Sequence, residues 1–238
     1  MRRFARLLWG EIVRLAKYKV LFFGLLVSAI WVVILVLSDA ATAEALIPTL
    51  VGMDAGMMSM LLLGSMFYFE KQEGTVHTLL VTPVPLGQIL LAKVGASMAT
   101  GVVSMFLVAG SAWIVHGISV NLLLMTVYDA VVVAGNTAIG YLLILSSKDF
   151  MGMLLKMMGV LLLFYVPVVL VPLGILAEDS LIVALLSPSY AGSFLFESLY
   201  AAKDAWMVLF CLAYLGGIAG ILYPLVIKRR YERIAVEG

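Results

Sequence analysis

The sequence predicts an all-α membrane protein with six transmembrane helices, and three observations predict it. The chain is 64% hydrophobic and only 12% charged, with a mean hydropathy of +1.14. Soluble domains are about half apolar and about a quarter charged. Apolar runs near the ~20 residues that a helix needs to cross a bilayer recur along the chain. The basic residues sort onto one side of those runs. Helices rather than a barrel follow because the runs are continuously apolar, whereas barrel strands alternate. In lipid a helix also satisfies every backbone polar group within its own segment.

The elements follow in order. Residues 1–19 form an amphipathic helix expected to lie in the membrane interface, with Arg3, Arg6, Gly10, Arg14 and Lys17 on one face and Phe4, Leu8, Ile12 and Leu15 on the other. A single six-span domain then covers 20–238, with spans near 20–38, 46–69, 89–115, 121–145, 153–176 and 205–227. Ala41, Thr42 and Ala43 resemble a signal-peptidase site, but the run Val20–Leu37 exceeds a signal peptide's apolar core, so a retained first span is expected. Pro167 and Pro172 are expected to kink the fifth span. The segment 177–204 is mostly apolar, too short to cross twice, and broken by Pro188. It is read as a re-entrant pair of short helices whose broken backbone protein shields. Gly52/Gly56 and Gly216/Gly220 have the spacing of close helix contacts.

Every Lys and Arg except Lys203 falls before span 1, in or flanking the loops after spans 2 and 4, or after span 6. Asp39, Glu44, Glu178, Asp179, Glu197 and Asp204 fall on the opposite side. Both termini are therefore expected in the cytoplasm. Nothing in this pattern points to nucleic acid, and the expected environment is membrane lipid.

An enzyme is not expected. The chain has no phosphate-cradling GxxxxGK[ST] loop, no GxSxG and no HExxH. Cys211 is the only cysteine and sits in an apolar run, and His77 and His116 fall in loops on opposite sides, so no metal site is expected. What stands out is charge at membrane depth. Asp54 and Asp129 each lie about eight residues, ~12 Å, inside the outer end of spans 2 and 4. A carboxylate there is costly and marks a function by default. Asn136 and Thr126 share the face of Asp129, while Met53, Met57, Met58 and Met60 surround Asp54. Two readings stay open: a polar, methionine-lined cavity for an amphipathic or cationic solute, formed by Asp54, Met57, Met58, Asp129 and Asn136, or aspartates that only pair helices.

The loop 70–92 carries the most specific pattern. Glu70 and Glu73 leave span 2, Gly74 breaks the helix, and Val76, Leu79 and Leu80 form one apolar face of a short helix ended by Thr82 and Pro83. Such a helix suits a groove on a partner. The series Glu70, Glu73, Gly74, Thr75, Leu79, Leu80, Thr82, Pro83 and Lys93 resembles the signature region of type-2 ABC-transporter permeases. The topology agrees along nearly the full length, most closely with the compact antibiotic-export permeases, including those for fluoroquinolones or daunorubicin.

This resemblance implies a membrane subunit of an ATP-driven exporter in a prokaryotic inner membrane. Residues of about 74–81 become a coupling helix seated on a separate ABC ATPase present in two copies, beside a second permease chain, identical or homologous. No cofactor is implied in this chain, since ATP and Mg belong to the partner ATPase. The cargo implied is an amphipathic small molecule such as a drug or antibiotic, or a lipid-like solute. The alternatives are a haem-related permease of cytochrome maturation, with His116 as the outer-side ligand, an ion-coupled secondary transporter, or a membrane anchor.

Overall fold

A computed structural model describes residues 2–75, 84–175 and 181–231. Helix α1 (Arg2–Lys17) precedes α2 (Val20–Leu37), α3 (Ala40–Gln72), α4 (Leu86–His116), α5 (Leu122–Leu145) and α6 (Phe150–Leu170). Two short helices, α7 (Leu181–Ala184) and α8 (Pro188–Glu197), lead into α9 (Ala205–Tyr231). Every regular element among the described residues is helical. Helices α2, α3, α4, α5, α6 and α9 are six helices long and apolar enough to cross a membrane. This is the build of a multi-pass membrane protein.

Side chains that the sequence places just ahead of the spans start several of them. Asp39 accepts from Thr42 N and from Thr42 Oγ1 at 2.6 Å, and these bonds hold its carboxyl below the usual range. Asn121 accepts from Leu124 N, Asp149 from Gly152 N and Ser187 from Tyr190 N. Each satisfies one of the unpaired N–H groups of a helix start. Span 2 therefore begins at Ala40, six residues before the expected start, because Asp39 caps it.

Arg14 of α1 and Tyr231 at the end of α9 both lie against the last turns of α3, at Glu70 and Phe67, so α1 and the end of α9 share one end of the bundle, called here the terminal end. The main core gathers Leu35, Ile47, Met105, Met125, Val133, Phe196 and Leu215 in the half toward the far end. Outside it, Phe22, Phe23, Leu26, Ile30 and Val33 of α2 are exposed, an apolar surface suited to lipid. The short helix α8 is buried from Pro188 to Phe196 and packs among α3, α5, α6 and α9.

Three expectations need correction. Pro172 does not kink span 5, because α6 ends at Leu170 and Pro172 lies in the turn that follows, where Gly174 takes φ 66°. Only Pro167 lies inside the helix. His116 does not fall in a loop: it is the last residue of α4, and its Nε2 lies 2.8 Å from the Leu35 carbonyl and ties α4 to α2. The apolar face of α1 is divided: Leu15 is buried and Leu8 packs against Gly95, whereas Phe4 is exposed. Trp9 and Val13 add to the exposed apolar surface of α1. The two glycine pairs also part company. A Cβ on Gly52 would meet Ser193 and one on Gly56 would meet Asn136, whereas Gly216 and Gly220 have nothing within 4 Å.

Candidate functional site

Two places in the bundle hold buried charge. The first lies at the terminal end, where α3 runs out into the loop. Glu70 is 1% exposed and receives both Lys93 Nζ, from the start of α4, and Arg14 Nη1 at 2.7 Å, from α1. Lys93 also reaches Glu11 Oε2 at 3.2 Å, and Arg14 reaches Glu11 Oε1 at 3.3 Å. Two carboxylates and two cations thus close a neutral ring joining three helices. Sequence reasoning singled out Glu70 and Lys93 but did not find Glu11. A signal existed: Glu11 is an acid on the apolar face of α1, between Leu8 and Leu15.

The loop leaves this ring with defined geometry. Glu73 caps α3, Gly74 takes φ 68°, and Thr75 Oγ1 donates to the Glu70 carbonyl at 3.1 Å. A positive φ just after a helix is where glycine avoids a Cβ penalty. Tyr18 hydrogen-bonds Glu73, which with burial raises its hydroxyl above the ordinary value, and its ring stacks on Phe69 at 4.8 Å. Leu79, Leu80, Thr82 and Pro83 lie outside the described residues.

The second place lies halfway along the bundle. Asp54 opens a π turn, Asp54–Met58, inside α3. Such turns widen a helix by one residue and recur at functional sites. Asp54 lines a cavity of about 270 Å³ between α1, α2, α3 and α4, together with Ser28, Met58, Ser59, Ser97, Thr100 and Ser104. The hydroxyls of Ser28 and Ser104 hydrogen-bond each other across the cavity wall, and Ser28 also donates to the Gly24 carbonyl. Asp54 Oδ1 has no hydrogen-bond partner, and the Trp31 indole faces it without a formed bond.

Asp129 stands behind that wall. It is 1% exposed, both carboxylate oxygens lack partners, and they pack against Gly101, where a Cβ would come within 3.1 Å. Gly101 itself lines the cavity. The two aspartates predicted from different spans therefore converge on one site. Asn136 does not line the cavity: it donates to the Val132 carbonyl at 2.9 Å and packs behind the π turn against Gly56. Thr126 also stays apart, donating to the Leu122 carbonyl.

The expected methionine lining is corrected in the same way. Met58 is the only methionine on the cavity wall, while Met57 and Met53 pack against the core and Met60 is buried against Gly140. Periodicity around Asp54 assumed a regular helix, and the π turn changes the facing of residues beyond it. Serines and threonines that looked unremarkable in sequence form the polar wall instead.

No family model matches this sequence, and a search of curated proteins finds no relative. The site's chemistry therefore rests on its own geometry: a mostly apolar cavity with hydroxyls and Asp54 on its wall and Asp129 behind Gly101.

Proposed function

We propose that this chain is the membrane subunit of an ATP-driven exporter of the type-2 ABC permease kind, moving an amphipathic solute with the help of a separate ATPase. One observation carries the reading. Glu70 and Lys93, which flank the loop that resembles the family signature, meet in a buried ion pair, and Arg14 and Glu11 bind that pair to α1. A loop that receives force from a partner needs a stiff base, and a closed ring of ion pairs between three helices supplies one. Motion of the loop helix would pass directly into α3, and one turn-rich stretch further along α3 lies Asp54 in its cavity. The solute would lie among the hydroxyls, with Asp54 and Asp129 offering negative charge. In the same reading α8 is the re-entrant element near the outer surface, both termini are cytoplasmic, and Trp9 and Val13 anchor α1 in the membrane interface.

The test is association. A tagged chain purified in mild detergent is expected to bring down a stoichiometric ABC ATPase, and the double substitution Leu79→Asp with Leu80→Asp should abolish that while the chain stays folded. ATPase retained at wild-type levels by the double variant would remove the coupling assignment.

A second reading has an observation of its own. Two buried carboxylates with unfilled oxygens beside one cavity also suit an ion-coupled transporter. Export that persists in vesicles depleted of ATP but collapses with the ion gradient would select it.

A further inference from the structure

At the far end lies a second cavity, of about 450 Å³, between the first turns of α3, the end of α6 and the short helix α8. Its wall carries Glu44, Glu197, Tyr190, Tyr200 and Ser193. It sits on the opposite face of α3 from Asp54, and Gly52 against Ser193 separates the two regions.

The charge there is unbalanced. Lys203 donates to Glu197 at 2.7 Å. Among the described residues no basic group pairs with Glu44. Two carboxylates thus face one ammonium. Each carboxylate has an aromatic neighbour, since Tyr200 lies within electrostatic reach of Glu44 and Tyr190 within reach of Glu197. Ser193, 7% exposed, places on the same wall a hydroxyl with no partner. A contact of the same kind stands beside the cavity, where the Lys203 ammonium lies 5.4 Å over the centre of the Phe194 ring. That is within the range at which a cation is held by an aromatic face.

We propose that this far-end cavity binds an organic ammonium ion, with Glu44 as its counter-charge and Tyr200 and Tyr190 as its aromatic walls. The volume suits a small molecule rather than a bare ion, since ligand sites run from ~300 to ~1,000 Å³. A divalent metal fits poorly, because among the described residues no three His, Cys, Asp or Glu side chains converge. Calcium would ask for six to eight oxygen ligands. Rings beside carboxylates suit a cation whose charge is spread over carbon substituents. The site stands apart from the exporter reading, because it predicts binding by the purified chain whether or not an ATPase accompanies it.

The experiment is calorimetric titration of the full chain, in a maltoside detergent free of ammonium groups, with benzyltrimethylammonium. Saturable binding at one site per chain is expected. Glu44→Gln and Tyr200→Ala should each weaken it about tenfold. Tyr200→Phe, which keeps the ring, should stay within about twofold, and Lys203→Met, which removes the resident ammonium, should tighten binding. Asp54→Asn should leave it unchanged. Absence of saturable binding overturns the proposal. So does equal affinity for the neutral probe in which carbon replaces the ammonium nitrogen, displacement by calcium at equal concentration, or indifference to both Glu44→Gln and Tyr200→Ala.

Discussion

The terminal end and the middle of the bundle bury carboxylates in opposite ways. Glu70 and Glu11 sit in a closed ring with Lys93 and Arg14, and every charge there has a partner of the other sign, although Glu70 Oε2 itself makes no hydrogen bond. In the middle of the bundle one oxygen of Asp54 and both oxygens of Asp129 lack a hydrogen-bond partner. A buried ion pair is weak evidence for stability, because desolvation offsets the attraction, but losing one member leaves an uncompensated charge. An unfilled carboxylate is already uncompensated, and its cost is tolerated for some other reason. The ring is therefore read as a structural joint, and the aspartates as groups awaiting something.

Substitutions can break or sharpen that contrast. The largest effect is expected for Lys93→Met, which leaves Glu70 and Glu11 with Arg14 alone. Loss of about 3–5 kcal/mol is expected, read as a fall in thermal midpoint in detergent. Adding Glu70→Gln to that variant should return part of the loss. If the single variant melts like wild type, the ring is not a joint. A smaller effect is expected for Ser104→Ala, which takes away the partner of Ser28 across the cavity wall. About 1 kcal/mol is expected, because Ser28 keeps the Gly24 carbonyl as an acceptor. The smallest loss of stability is expected for Asp129→Asn, none or a small gain, since it removes an uncompensated carboxylate and breaks no ion pair or hydrogen bond. Export in cells should nevertheless fall. A large loss of stability with export retained per folded molecule would make Asp129 a structural residue and erase the difference between the two regions.

The helical class was legible because membrane solvent leaves a strong imprint: α2 and α9 are apolar on nearly every face, and capping residues such as Asp39, Asn121 and Asp149 mark the starts. Asp54 and Asp129 were legible one at a time, since each is an ionisable residue inside an apolar run. Their convergence around Gly101 was not legible, because it depends on how α3, α4 and α5 cross. Glu11 escaped for a different reason. On α1 alone it looks like an unwanted acid on an apolar face, and only Lys93, far along the chain, explains it. The far-end cavity was invisible in sequence because Glu44 and Tyr200 come from distant segments that α8 brings together.

The π turn at Asp54 has one more consequence. An α-helix advances ~100° per residue, so one additional residue in a turn offsets everything beyond it by about that angle. The stretch of α3 before the turn aims Gly52 at Ser193 and the stretch after it aims Gly64 at Met153 and Met157, so the turn helps set the angle between these two contacts. Such an offset works like a slipped tooth in a gear train.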